Sequence, residues 1–269
     1  MTVDNLYING TSFATGWGKG YEDQKTVTPR NSWVTYFSQS TKPNKLYLDA
    51  IVGKGIGRTC RDTIAFCEKY KEKFGSLDNL NIILEFTTPR YRHWDPLKTI
   101  NGDEAYPMAY ISHGSLWETD HYFVKRDFND NTLEFTDTII PNDAIDPVQY
   151  DAWKKELHEW YFGGQGIPFY MVYASNEINP LKTYLSNNNA KYIMFWCVGA
   201  TNVGRKLVDR YMRPLYSDGR LIATQQLSGH RIAKEESDEC HQGHPDDKGH
   251  KFLADALENY INENRSFEI

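Results

Sequence analysis

Short apolar runs, each followed by a polar or glycine-rich tip, predict the strands of this chain. They lie in residues 5–13 (NLYINGTSF), at the start of 45–75, in 81–94 (NIILEFTTPRYRHW) and in 191–202 (KYIMFWCVGATN). The last run is apolar throughout, as expected for a strand that is covered on both faces of its sheet. The pattern therefore indicates a buried sheet between layers of helices.

Apolar residues at one-turn spacing predict the helices that cover this sheet. One helix ends at Gly75, a second lies within 146–162 with Asp146-Pro147 as its start signal, and a third lies around 178–189. The last helix follows the HPDD sequence that begins at His244. Its apolar positions are Phe252, Leu253, Ala256, Leu257, Tyr260 and Ile261.

Residues 94–166 show no strong periodicity before the helix at 146–162. Because this region follows the third strand, we expect it to be a loop-rich, aromatic insertion that overhangs the carboxyl end of the sheet. Its aromatic residues are interpreted either as a platform for a sugar or acyl group or as a small core of the insertion itself. They include Trp94, Tyr106, Tyr110, Trp117, Tyr122, Phe123, Phe128 and Phe135.

Composition narrows the classes of partner. The 269 residues are enough for one substantial domain, and the net charge of −6 without a basic stripe argues against nucleic acid. No run reaches the length of a membrane span, and the amino terminus has neither the basic nor the apolar part of a secretory signal. Four scattered cysteines, of which Cys60 and Cys67 share a helix face, do not demand an oxidising compartment. We therefore expect a cytoplasmic protein, or a virion-associated one if a phage encodes it.

Two distant motifs carry the candidate chemistry. Gly10, Thr11 and Ser12 follow the first strand, and His244 precedes the last helix in the sequence HPDDKGH. This ordered pair resembles the first and last signatures of the SGNH (GDSL-like) hydrolases, especially the small members that phages encode. Ser32-Trp33, at the start of a predicted helix, resembles a further feature of those members. The resemblance implies that Ser12 is a nucleophile and His244 its general base.

The resemblance also implies an oxyanion hole. Ser12 and Gly53 would donate their backbone N–H groups, with Gly55 as the second choice for the glycine. The family usually has an asparagine where this chain has Thr87, so Thr87 either donates its hydroxyl or merely caps the strand before Pro89. Asn202, at the tip of the fourth strand, is an alternative donor.

The acid of the triad departs from the family pattern, in which it lies three residues before the histidine. That position is His241, so two interpretations compete: His244 as base with Asp238 from a longer loop, or His241 as base with Asp238. Glu239 is the substitute acid. A zinc site formed by Cys240, His241, His244 and His250 is a separate interpretation, but the second ligand pair of typical zinc sites is missing.

Taken together, the resemblance implies one SGNH-like domain over residues 1–269. We expect three α/β/α layers of flavodoxin-like type, with about five parallel strands and the insertion at 94–166. The expected activity is hydrolysis of an acyl ester, such as an acetyl group on a carbohydrate, without a cofactor or metal. Arg90 and Trp94 are the candidate substrate-binding residues. The alternative is a non-catalytic binding or virion-structural protein that retains this scaffold.

Overall fold

The computed structural model describes residues 4–15, 32–87, 94–111, 119–163, 167–197, 202–224, 226–238, 240–241 and 244–264. Single-turn 3₁₀ helices lie at Asn142–Ala144 and Arg213–Leu215. The strands are β1 (Asn5–Gly10), β2 (Lys45–Ala50), β3 (Leu80–Phe86), β4 (Leu97–Lys98), β5 (Glu104–Ile111), β6 (Thr119–Asn129), β7 (Glu134–Ile140), β8 (Lys191–Trp196), β9 (Cys240–His241) and β10 (His244–Pro245). The α-helices are α1 (Ser12–Thr15), α2 (Trp33–Thr41), α3 (Ile56–Phe74), α4 (Pro147–Phe162), α5 (Ile167–Asn187), α6 (Asn202–Met212), α7 (Gly229–Glu235) and α8 (Asp247–Asn264).

The predicted mixed α/β architecture is confirmed, with a parallel sheet in the order β2-β1-β3-β8. This is the start of the flavodoxin-like strand order. The described residues give the sheet four strands rather than about five. Beside β8, the described residues make isolated parallel bridges at Leu221 and Ser228 and no fifth strand.

Alternation along the strands divides the interior into two layers. Tyr7, Leu84 and Met194 face one core, which α3 and α5 cover. Leu6 and Ile8 face the other core, which is formed with α2, α7 and α8. Successive side chains of each apolar strand point to opposite faces of the sheet, and helices cover both faces. The sheet therefore lies between two layers of helices.

Helix ends match local sequence signals. The last turn of α3 closes at Gly75, which has a φ of 87° and donates its N–H to the Lys71 carbonyl at 2.8 Å. At the start of α4, the Asp146 carboxylate accepts hydrogen bonds from the N–H groups of Val148 and Gln149.

The buried face of α8 differs from the predicted one. It includes Ala254, which was not predicted, and excludes Phe252, which is 42% exposed.

The prediction that the region 94–166 is rich in loops before its helix is wrong, whereas the helix predicted at 146–162 is confirmed by α4. The described residues of this region form a four-stranded antiparallel sheet, β4-β5-β6-β7, followed by α4. The alternation that would reveal these strands is hidden because the charged side chains of Arg126 and Asp137 occupy inward-facing positions where apolar residues are expected. Phe123 on this sheet packs against Trp153 of α4, and both residues belong to the same apolar core as Tyr7 of the parallel sheet.

A buried histidine in α8 gives the fold a pH-sensitive position. His250 is 3% exposed, and neither of its ring nitrogens has a hydrogen-bond partner within the described chain. Burial lowers the pKa of His250 to about 4, against a smaller opposing effect of Asp246. The imidazole is therefore neutral in the folded protein at neutral pH.

We expect His250 to reduce stability in mild acid. Its pKa is about 4 when folded and about 6.5 when unfolded, so below pH 6.5 the unfolded state takes up the proton first. The free energy of unfolding should therefore fall by about 2 kcal/mol between pH 7 and pH 5 through this residue. Urea titrations of His250→Leu should lack that part of the pH dependence, whereas exposed His158→Leu should retain it. Equal pH slopes in wild-type and His250→Leu proteins would contradict the assignment.

Candidate active site

The candidate residues gather at the carboxyl edge of the parallel sheet. Ser12 follows β1, Gly53 follows β2, and Thr87 follows β3 directly. Because β2 and β3 flank β1 on opposite sides, this edge is the topological switch point of the sheet, where α/β proteins bind ligands. The fold alone thus brings three separate segments to one crevice.

The turn that carries Ser12 is tight. Ser12 is the first residue of α1, and a Cβ atom at Gly10 would lie 2.7 Å from the Ala14 Cβ and 3.2 Å from the Glu85 Cβ. Only glycine allows the chain to leave β1 this close to β3 and enter the short helix. The turn therefore presents the Ser12 hydroxyl beyond the strand end.

The loop that carries His244 is held by α8. A two-residue bridge pairs His244 with His241, and the Asp246 carboxylate accepts the Gly249 N–H at 2.9 Å at the start of the helix. A Cβ atom at Gly249 would lie 2.2 Å from the Ser237 hydroxyl oxygen, so this first turn packs directly on the preceding loop. These contacts hold His244 against the crevice.

Ser12 and His244 meet although 232 positions separate them. The Nε2 atom of His244 lies 2.6 Å from the Ser12 Oγ atom, and the Phe13 ring packs 4.7 Å from the imidazole centroid. This is the geometry in which a neutral imidazole can accept the serine proton.

Two backbone N–H groups at this edge are available as donors. The hydrogen bonds of the described chain include none from the N–H of Ser12 or of Gly53. Gly53 has a φ of 78°, a conformation that side-chain-bearing residues rarely adopt. Thr87 is 8% exposed at the end of β3, so its side chain is also placed at this edge.

A buried glutamate, to which we assigned no role from the sequence, lies beneath the Ser12 turn. The Oε1 atom of Glu85 accepts hydrogen bonds from the Thr11 N–H at 2.9 Å and the Thr11 hydroxyl at 2.5 Å, and its Oε2 atom accepts one from the Trp33 Nε1–H at 2.7 Å. Burial raises the pKa of Glu85, and the bonds from Thr11 and Trp33 oppose that effect. The sequence signal was available, because Glu85 is the one charged residue of the strand sequence LNIILEF.

The structure corrects the assignment of the orienting acid. The Asp238 side chain is 75% exposed, and its carboxylate accepts a hydrogen bond from Lys248 at 2.7 Å. The backbone N–H of Asp238 donates a hydrogen bond to the Asp246 carboxylate, and the residue lies on the outer side of the loop. Asp238 therefore does not reach His244. Glu239 lies outside the described residues.

Trp94 also differs from its predicted role. It is 4% exposed and packs edge-on against Trp153, with ring centroids 6.1 Å apart. It is therefore a core residue and not an exposed platform for substrate.

The remaining candidates have the following positions. Gly55 caps the start of α3. Arg90 and the side chains of His241 and Asn202 lie outside the described residues. The same holds for the Cys240 side chain of the zinc interpretation, and the described residues contain no group of three His, Cys, Asp or Glu side chains that could hold a metal ion. None of the described helices is both long and apolar enough to cross a membrane.

We expect Glu85→Gln to destabilise the protein by about 3 kcal/mol. A glutamine amide has one acceptor oxygen, so in either orientation its NH₂ group faces a buried donor from Thr11 or Trp33. Chemical denaturation measures the loss. Glu72→Gln, which alters an exposed ion pair with Lys69, is the matched control and should change stability by less than 1 kcal/mol. Equal stabilities of the two variants would contradict this role of Glu85.

No family model matches the chain, and no curated protein matches its sequence. Among solved structures, the chain is similar to a psychrotrophic esterase, EstA, from Pseudoalteromonas sp., with a TM-score of 0.47 and 11% identity over 96% of this chain and 97% of that one. It is also similar to a protein of the G-D-S-L family from Desulfitobacterium hafniense DCB-2, with a TM-score of 0.43 and 9% identity over 95% and 98%. These similarities are too distant to support a conclusion about chemistry, which therefore rests on the site itself.

Proposed function

We propose that this chain is a serine ester hydrolase of the SGNH type. The observation that carries the proposal is the 2.6 Å contact between the Ser12 Oγ and His244 Nε2 atoms at the switch point of the sheet. A serine hydroxyl becomes a useful nucleophile when a neutral imidazole takes its proton, and this pair has the required geometry.

The proposed reaction has two steps, acylation of Ser12 and hydrolysis of the acyl-serine. His244 Nε2 accepts the proton as Ser12 Oγ bonds to the ester carbonyl carbon, and the imidazolium then returns that proton to the departing alcohol oxygen. Water repeats the sequence on the acyl-serine, which releases the carboxylic acid and restores the Ser12 hydroxyl. The N–H groups of Ser12 and Gly53, with the Thr87 hydroxyl, would stabilise the negative oxygen of both tetrahedral intermediates.

The proposed substrate is a short acyl ester, with an acetyl group as the first choice. The short acyl group follows from the family resemblance. A carbohydrate as the alcohol part follows only from the family resemblance, because the candidate platform residue Trp94 is buried. A panel of p-nitrophenyl esters of increasing chain length, together with acetylated xylan, tests both parts of this proposal.

We expect Ser12→Ala and His244→Ala each to lower kcat for p-nitrophenyl acetate by about 10⁴-fold or more. The reason is that nucleophile and base act as one unit. Steady-state kinetics measure the loss, and mass spectrometry should detect an acylated Ser12 peptide in the wild-type protein alone.

Exposed Ser217→Ala and His158→Ala are the matched controls and should retain activity. Loss of activity in His241→Ala with retention in His244→Ala would transfer the base to His241. A wild-type protein without any Ser12-dependent turnover across the ester panel would instead favour the non-catalytic scaffold.

A further inference from the structure

One face of strand β6 is directed at the segment that carries Gly53. Tyr122, Val124 and Arg126 alternate along β6 and so lie on the same face of its sheet. All three contact residues 49–54, which we call the Gly53 segment. This antiparallel sheet therefore contacts the proposed oxyanion hole from outside the parallel sheet.

The three contacts are of different kinds. Val124 packs in a small apolar cluster with Ile51 and Met108. Arg126 forms an ion pair with Asp49, at the end of β2. Tyr122 donates its phenolic hydrogen to the carbonyl oxygen of Val52.

The hydrogen bond of Tyr122 to the Val52 carbonyl also sets the direction of the Gly53 N–H. The Val52 carbonyl and the Gly53 N–H belong to the same planar peptide unit, which is trans, so the two groups point in opposite directions. A hydrogen bond that holds the carbonyl toward β6 therefore aims the Gly53 N–H away from β6. That N–H has no hydrogen-bond partner in the described chain.

The Gly53 peptide needs such a restraint. A glycine with a φ of 78° has no Cβ atom to limit rotation of the peptide that precedes it. The following residue is already anchored, because Lys54 is fully buried and its Nζ atom lies 2.7 Å from both Asp49 and Asn9 and 2.9 Å from Asp62. The orientation of the Val52–Gly53 peptide is thus the remaining freedom in a segment that is otherwise fixed.

We propose that Tyr122 is a positioning residue for ester hydrolysis, which holds the Val52–Gly53 peptide so that the Gly53 N–H points at the developing oxyanion. This inference rests on the proposed function. It also gives the antiparallel sheet β4-β5-β6-β7 a role in the reaction, because that sheet supplies a restraint on the Val52–Gly53 peptide that the parallel sheet does not supply.

We expect Tyr122→Phe to lower kcat for p-nitrophenyl acetate on the order of 10²-fold, the cost of losing one oxyanion donor. KM should change little, because the donor acts mainly on the charged intermediate and not on the ground-state ester. Tyr106→Phe is the matched control: it removes a hydroxyl from the neighbouring strand of the same cluster and should keep the wild-type kcat. The ¹⁵N-glycine spectrum should show a displaced Gly53 amide signal in Tyr122→Phe and not in Tyr106→Phe.

The outcomes separate this inference from the proposed function. Ser12-dependent turnover in the wild-type protein together with an unchanged kcat in Tyr122→Phe would overturn the role of Tyr122 and leave the hydrolase intact. Absence of Ser12-dependent turnover in the wild-type protein would remove both. If Tyr122→Phe fails to fold, a fluorinated tyrosine at position 122 keeps the side chain in place. Its more acidic hydroxyl should then give a loss of kcat at high pH that the wild-type protein lacks, and an unchanged pH profile would reject the proposal.

Discussion

The candidate site depends on one constraint, the parallel direction of β1, β2 and β3. Because these strands run side by side in the same direction, the segments that follow them must emerge at one edge. Ser12, Gly53 and Thr87 share a crevice for this reason, although they come from distant parts of the chain. His244 reaches the same crevice from α8, which packs on the sheet face below it. The 2.6 Å contact of His244 with Ser12 is the result of that packing.

Buried polar groups hold the loops at this edge. Glu85 lies beneath the turn before Ser12: one of its carboxyl oxygens accepts two hydrogen bonds from Thr11, and the other accepts one from Trp33. Lys54, Asp49 and Arg126 form an ion cluster on the face of the parallel sheet opposite Glu85. Burial alone would raise the pKa of Asp49, but the charges of Arg126 and Lys54 outweigh it and hold that pKa below its ordinary value. Removing one member of such a cluster would leave an uncompensated buried charge, so the cluster favours one arrangement of the loops.

Local patterns predicted much of the parallel sheet and of its helices. Apolar runs located β1, β3 and β8, glycine marked the end of α3, and Asp146-Pro147 marked the start of α4. The antiparallel sheet was not predicted, since charged residues such as Arg126 take inward positions and hide the alternation. Trp94 was interpreted from residue type alone, and its burial against Trp153 depends on where α4 packs. Asp238 was chosen by its spacing from the histidine, but the turn before α8 directs its carboxylate toward Lys248.

The sequence by itself determined the class of fold and the two motifs at Ser12 and His244, because periodicity and turn residues act over a few positions. Only the tertiary structure decided which side chains meet. It placed Glu85 under the Ser12 turn, separated Asp238 from the histidine, and brought Tyr122 of β6 to the carbonyl of Val52. Such contacts join segments whose distance along the chain carries no information about their distance in space. They are set by the packing of layers, which no local pattern encodes.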